Sequence, residues 1–315
     1  MKGISVIIPT YNRQKYIAEA ITSVLDQDYD GILEVIISDD GSTDRTLEIA
    51  QSFGDKVTIL KKGKDCLSQG VSSTRNRGLK AATQPYICFL DSDDFYLPYH
   101  LSRSASVLEK NPDLGFVFCR ILEVKEEKCS KLYKSWTLYH ICKNDILNPV
   151  VSRSQVVHTN SFLFRRCVFD KVGCFNETYS NGEDADMWMR ISEQYRGVLV
   201  NHYGAAYCTQ HGNNQLTNNP KEKIKKCHFA VYSNAINRYY QLGLDDPNRI
   251  FELKHLVLHN KYRDATLLYA IRYIFLIIKY PIPFTKRISP FFYRMIQRRK
   301  SNDWHDLSYF IKTKS

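Results

Sequence analysis

The apolar run Tyr86-Ile87-Cys88-Phe89-Leu90 stops abruptly at Asp91-Ser92-Asp93-Asp94, three carboxylates within four positions. Like charges so close repel one another and ionise together only with water or a cation among them. Mg²⁺ and Mn²⁺ take carboxylate oxygens and commonly share their coordination sphere with a substrate's phosphates. The plainer reading is a solvated turn whose last acids cap a helix starting near Pro98, since Asp is favoured at helix starts. A second acidic group, Gly182-Glu183-Asp184-Ala185-Asp186, opens the apolar pattern Met187-Trp188-Met189. Carboxylates there either steady a helix amino end or take a proton from an attacking hydroxyl. Residues two apart on a helix face different ways, so Asp184 and Asp186 do not readily serve one site.

The elements that must position these groups can be read from apolar periodicity. Ile4 to Pro9 reads as a buried strand, and Ile17, Ala20, Ile21, Val24 and Leu25 recur at helical spacing. The strand-loop-helix unit repeats at Leu33 to Ser38 with a helix over Leu47 to Phe53. A third strand at Val57 to Leu60, a helix over Val71 to Thr83 and the Tyr86 strand follow. Alternation of this kind predicts a parallel sheet with helices on both faces and polar loops gathered along one edge. Ligands of open α/β sheets bind beyond the carboxyl ends of the strands. Thr10 to Arg13, Asp39-Asp40 and Asp91 to Asp94 therefore belong together: an aromatic ring to cover a base, acids to accept hydrogen bonds from base or ribose, and further acids to hold a metal on phosphates. Arg75 could add positive charge there.

Past this sheet the pattern predicts a helix over Pro98 to Lys110 and strands over Gly115 to Leu122, Ser161 to Phe164 and Gly197 to Val200. Glu123 to Val151 shows no clean period. From Lys221 onward helices are expected over Lys221 to Leu242, Arg249 to His259 and Tyr262 to Lys279.

At 315 residues the chain can bury a substantial core. Residues 1–220 hold 25 Lys and Arg against 26 Asp and Glu, whereas residues 221–315 hold 19 against 7, so the basic character belongs to the tail. The nine cysteines form no Cys-x-x-Cys pair and show no His spacing of a zinc motif, which suits reduced thiols. Met1-Lys2-Gly3 runs straight into a strand pattern, so no signal peptide is expected and the reading is cytoplasmic.

Four motifs in order, Ile8-Pro9-Thr10-Tyr11-Asn12-Arg13, Ser38-Asp39-Asp40-Gly41-Ser42-Thr43-Asp44, Thr74-Arg75-Asn76-Arg77-Gly78 and Leu90-Asp91-Ser92-Asp93-Asp94, resemble the nucleotide-sugar half of family 2 inverting glycosyltransferases, over roughly residues 3–220. The resemblance implies an α/β GT-A fold, a Rossmann-like, mostly parallel sheet flanked by helices, here with an α-helical C-terminal extension. It implies a GT-A domain over 1–220, with a nucleotide-sugar half to about 115 and an acceptor half from about 116, followed by a basic extension over 221–315. Tyr11 would stack on the base, Asp40 meet a uracil, Asp91 the ribose and Asp93 a Mn²⁺ or Mg²⁺ ion. Pro9, Thr10, Arg13, Arg75 and Ser92 would complete the donor site. Asp39 is then structural and Asp44 a helix-start residue. Asp184 maps onto the family's general base, ahead of Glu183 and Asp186. His211, in His211-Gly212-Asn213-Asn214, would join the metal site, although Gln215 stands where the family often has Ser.

The implied reaction transfers a sugar from a nucleotide-diphospho-sugar, a UDP-sugar by the Asp40 assignment, to a hydroxyl of a glycan. The basic-aromatic stretch 267–300 is too short in apolar residues for a span of about 20. It suits a membrane surface, hence a lipid-linked acceptor at the inner face of the plasma membrane and a role in surface polysaccharide assembly. A helical subdomain with a solvated basic face is the competing reading of that tail, and no nucleic-acid motif accompanies its charge. Two other functions are compatible with a nucleotide-binding α/β sheet: a module that binds nucleotide-sugar or membrane without catalysis, and a sugar-1-phosphate nucleotidyltransferase. The latter wants a glycine-rich amino-terminal loop where this chain has Thr10-Tyr11-Asn12-Arg13.

Overall fold

The computed structural model describes residues 2–63, 70–125, 158–209, 220–244, 247–262, 272–273 and 275–276. Eight strands form one sheet: β1 (Ile4–Thr10), β2 (Leu33–Asp39), β3 (Val57–Lys61), β4 (Tyr86–Phe89), β5 (Phe95–Tyr96), β6 (Leu114–Lys125), β7 (Phe162–Arg165) and β8 (Arg196–Thr209). Their order across the sheet is β3-β2-β1-β4-β7-β6-β8-β5. Pairing is parallel from β3 through β4 and again between β6 and β8, while β7 and β5 run antiparallel to their neighbours. The expected mostly parallel α/β sheet is thus present, with two reversed strands that the alternation rule did not predict.

β1 is buried along its whole length because both of its faces are covered. Ile4, Val6 and Ile8 point into one core with Ile17, Ala20, Ile21 and Val24 of helix α1 (Ile17–Leu25) and Leu101, Ala105 and Leu108 of α4 (His100–Lys110). Ile7 points into the other, shared with Phe89, Leu79 of α3 (Val71–Ala81) and Phe169 of α5 (Cys167–Val172). A short helix α2 (Thr46–Gln51) follows β2. Helix α3 packs against β1 at Gly78, where a Cβ would collide with Ile7, so only glycine allows the approach.

The second core is aromatic. Phe162 and Phe164 of β7 stack with ring centroids 5.1 Å apart, and Trp188 of α6 (Glu183–Ser192) lies 5.1 Å from Phe164. Val231, Tyr232, Ala235 and Tyr239 of α7 (Lys221–Gln241) close the same core, with α8 (Pro247–Tyr262) adding Ile250, Leu253 and Leu256. The first two helices of the basic extension are therefore packed. The rest of the proposed membrane-facing stretch 267–300, apart from 272–273 and 275–276, lies outside the described residues. No helix among the described residues is long and apolar enough to cross a membrane.

Several boundaries differ from the periodicity. The helix expected from Pro98 begins at His100, after Tyr99 in a left-handed conformation (φ 67°). The preceding Phe95-Tyr96 pairs with Ala205 and Ala206 as the edge strand β5, two residues being too few for a period to register. The strand expected to end at Val200 runs on to Thr209, interrupted by bulges at polar and glycine positions that break the apolar run.

Candidate active site

The loops after β1 and β2 are laced together. Asn12, in a left-handed conformation (φ 51°), accepts from the Thr43 amide at 2.8 Å, and its own amide donates to Ser42 Oγ at 2.9 Å. The Arg13 amide donates to Thr46 Oγ1 at 2.7 Å, and the Gln14 amide to Asp44 Oδ2 at 3.2 Å. Asp44 also accepts from the Thr46 amide at 2.9 Å, at the start of α2. Asp39 is buried and accepts from the Gly41 and Ser42 amides, holding the turn closed. Both acids thus shape the edge.

Around this frame stand the residues with chemistry to offer. Pro9 and Thr10 are buried at the end of β1, and Tyr11 beside them is 52% exposed, an aromatic face turned to solvent at the sheet's carboxyl edge. Asp40 accepts from the Gly70 amide at 2.8 Å and lies 3.5 Å from Lys62 Nζ. Arg13 Nε donates to Asp93 Oδ2 at 3.2 Å, joining the first loop to the acidic turn.

Each acid in that turn has its own environment. Asp91 Oδ1 accepts from Arg75 at 2.8 Å, and the Asp91 amide donates to Asn160 Oδ1 at 2.9 Å. Burial is the largest single influence and would raise the Asp91 pKa, but Arg75, His158 and Arg13 together outweigh it and hold the carboxyl below its ordinary value. Asp94 is buried; its oxygens accept from Asn160 Nδ2 at 2.5 Å and from the Cys208 amide at 2.7 Å. Burial, reinforced by the charges of Asp93 and Asp91, pushes Asp94 well above the usual carboxylate range. Ser92 is buried between them.

Asp91, Asp94 and His158 offer ligand atoms within 4.8 Å of one another, and His158 Nδ1 is buried without a hydrogen-bond partner among the described residues. His158 was not singled out from sequence. It sits 64 residues beyond Asp94, past a stretch without periodicity, and nothing short of the fold brings it back. Burial lowers its pKa, opposed by the charges of Asp91, Asp184 and Asp93, which places Asp184 beside the same cluster. His211, the other ligand expected from sequence, lies outside the described residues.

Helix α6 delivers the second acidic group. Gly182, its N-cap, has φ 79°, and a Cβ there would come within 2.8 Å of His228 Cδ2, so glycine sets where the helix starts. Glu183 is buried and accepts from Arg75 at 3.0 Å. Its pKa is raised to about 7, by burial first and the neighbouring Asp184 second, against the pull of Arg75. Asp186 turns the other way, accepting from Arg190 at 2.9 Å and from Arg238 of α7 at 3.4 Å. Asp184 accepts from the Ala185 amide in its own turn at 2.6 Å, and no ion pair reaches it among the described residues. Arg75, only 3% exposed, thus spans both acidic groups. Next to it Asn76 bonds Phe175 O, the Phe175 amide and Glu177, tying α3 to the loop that leads into α6.

A carboxylate turn, an exposed aromatic ring and a second acid-bearing helix stand at the carboxyl edge of a parallel sheet, where open α/β sheets bind their ligands. The chain belongs to glycosyl transferase family 2, whose sequence model matches residues 5–173, and its fold is GT-A. An uncharacterized glycosyltransferase of Rickettsia typhi is 35% identical over 200 residues, 61% of this chain and 60% of that one, so the chain spans less than two thirds of that relative's length. The Escherichia coli UDP-Glc:alpha-D-GlcNAc-diphosphoundecaprenol beta-1,3-glucosyltransferase WfaP is 28% identical over 235 residues, 72% of this chain and 84% of that one. Among solved structures, S. aureus TarS 1-349 in complex with UDP-GlcNAc superposes with a TM-score of 0.66 at 20% identity, over 89% of this chain and 80% of that one.

Proposed function

We propose that this chain is an inverting, metal-dependent glycosyltransferase that moves a sugar from a UDP-sugar to a hydroxyl of a lipid-linked glycan in surface polysaccharide assembly. The observation that carries the reading is Asp184. Of the three acids at the start of α6 it alone has no ion pair among the described residues, and its charge is felt by His158 and Arg75 at the donor edge. The E. coli relative supports the donor and acceptor classes, since its name states UDP-Glc and an undecaprenol-diphosphate-linked sugar. In this reading residues 1–220 form the catalytic unit, 1–115 for the donor and 116–220 for the acceptor. The basic 221–315 extension works beside a membrane surface, the protein lying peripherally on the inner face.

The residues present suit a hard divalent cation, Mn²⁺ or Mg²⁺: carboxylates on one turn and a half-buried imidazole whose inner nitrogen is orphaned among the described residues. We assign Asp93, Asp91 and His158 to hold it, with His211 as the ligand outside the described residues. Asp94, whose oxygens are engaged by Asn160 and Cys208, holds the turn. When bound, the ion supplies Lewis-acid neutralisation of the leaving diphosphate. Tyr11 covers the base, Asp40 accepts from it, and Pro9, Thr10, Arg13 and Ser92 shape the loops around the nucleotide. Arg75 pairs Asp91 and Glu183 so that their charges do not compete with Asp184 for the acceptor's proton. Asp184 removes the hydroxyl proton as the acceptor oxygen bonds the anomeric carbon and the bond from that carbon to the diphosphate oxygen breaks, which inverts the centre.

The test pairs binding with turnover. A thermal-shift series of UDP-, GDP-, CMP- and dTDP-sugars with and without Mn²⁺ should show a metal-dependent rise with UDP-sugars that Asp93→Ala abolishes, because ligand binding to the folded state raises the midpoint. UDP release should then require a diphosphate-lipid-linked sugar acceptor. A shift indifferent to metal and to Asp93→Ala overturns the metal assignment, and donor binding without transfer to any lipid-linked or free glycan overturns the activity.

A further inference from the structure

On the sheet face covered by α4, three ligating side chains that are far apart in sequence converge. His100 is the first residue of α4, Cys119 lies in β6 and His202 in β8, and their ring nitrogens and thiol sulfur all lie within 4.8 Å of one another. His100 is fully buried and His202 is 7% exposed, yet neither ring nitrogen of either histidine meets a hydrogen-bond partner of ordinary geometry among the described residues. A buried imidazole with both nitrogens unpaired is a costly arrangement that calls for a partner.

The backbone is built to make this convergence. Cys119 pairs with Val200, but the next residue of β6, Arg120, pairs with Tyr203, so Asn201 and His202 are extra residues in a bulge. Bulges of this kind re-aim a side chain. A second irregularity leaves Gly204 unpaired between Tyr203 and Ala205, and a Cβ there would collide with His100 Nδ1 and lie 2.5 Å from Cys119 Sγ. Glycine is what lets the ring and the thiol share this space.

We propose that His100, Cys119 and His202 bind a borderline-soft transition-metal ion of the Zn²⁺ class, pinning the start of α4 to β6 and β8. Two imidazoles and one thiolate are a zinc-type donor set, in contrast to the oxygen-rich set at Asp91 and Asp93. Tetrahedral coordination at ordinary Zn–N and Zn–S lengths puts ligand atoms about 3.5 Å apart, inside the 4.8 Å span that the three side chains occupy. A groove of about 350 Å³ lined by Ser102, Arg103, Ser106, Val107, Val200 and Asn201 opens beside His202, the side from which a fourth ligand would come. Burial pushes the metal-free Cys119 thiol up to about 12. Both imidazoles are held neutral, His100 near 3 and His202 near 4, first by burial and then by His202 and Arg103 respectively. Coordination replaces the Cys119 S–H bond with a sulfur–metal bond and releases the proton to solvent. Because α4 follows directly on the Asp91–Asp94 turn and β5, the ion would brace the helix that leads away from that turn.

The test uses the full chain stripped of metal and loaded with a single equivalent of Co²⁺. The expected result is a thiolate-to-cobalt charge-transfer band with tetrahedral ligand-field bands. The band should vanish in Cys119→Ala and weaken in His202→Ala, and persist in Asp93→Ala, since the acidic site has no sulfur. X-ray absorption of the native chain with one equivalent of Zn²⁺ supplies a readout that needs no variant: one sulfur and two imidazole nitrogens are expected. An all-oxygen-and-nitrogen shell, absence of the cobalt band from the native chain, or a band that survives Cys119→Ala overturns the proposal.

Discussion

The turn Asp91-Ser92-Asp93-Asp94 and the helix start Glu183-Asp184-Ala185-Asp186 carry the same charge in the same span, three carboxylates in four positions, yet they are put to different use. In the turn, every acid has a partner: Arg75 for Asp91, Arg13 for Asp93, Asn160 and the Cys208 amide for Asp94. On the helix, Glu183 and Asp186 are paired with Arg75 and with Arg190 and Arg238, and Asp184 is left to its own turn. The turn is a template for holding charge in place. The helix leaves one carboxylate, the base proposed above, without an ion pair among the described residues. Arg75 touches both groups, so each restrains the other.

Breaking this contrast outright takes Asp184→Asn. Removing a general base should lower kcat about 10³-fold with donor affinity unchanged, read by UDP release and by calorimetric titration of the donor. The neighbouring Asp186→Asn should do the opposite. It leaves Arg190 and Arg238 short of a buried partner at a cost of about 3 kcal/mol in chemical denaturation, while the folded fraction keeps near-native kcat. If the two variants exchange these phenotypes, the roles are reversed.

Arg75→Lys tests the link between the groups. A point charge does not bond Asp91 and Glu183 together as a planar fork does, so kcat/KM should fall about 10²-fold with a smaller loss of stability. Equal activity in Arg75→Lys would mean that the bridge holds the fold alone.

The smallest effect sharpens the comparison through pH. Glu183 is raised from 4.5 to about 7, so between those values the unfolded chain ionises while the folded state keeps the proton. Stability from this group is therefore full below about pH 4.5 and declines as pH rises through 7. Glu183→Gln removes that decline, and the stability of the variant minus that of the native chain should climb across this window and then level off. A flat difference would place the Glu183 pKa at its ordinary value.

Much of this molecule was legible in the chain. The apolar runs at Ile4, Leu33 and Tyr86 each became a strand, and the polar loops after them meet at one edge because parallel strands with returning helices leave no other arrangement. Asp39 and Asp44, read as a structural and a helix-start residue, bond the amides of their own turns. Where residues of unlike polarity share a strand, periodicity loses its signal. β8 carries His202 and Gly204 among apolar residues, and its second half was missed. The nine cysteines showed no zinc spacing, yet Cys119 lies among two histidines 19 positions before it and 83 after it. A motif search reads neighbours along the chain, whereas a bulge and a glycine bring these three together across the sheet.

What the sequence by itself determined is the order of strands and helices and the presence of acids at their ends, since both follow from local pattern and from the short reach of turns. Only the tertiary structure decided which acid is paired and which is not, and which histidines stand beside them. Those outcomes depend on arginines, asparagines and backbone amides that come from distant segments, and on burial that exists only once the segments have packed.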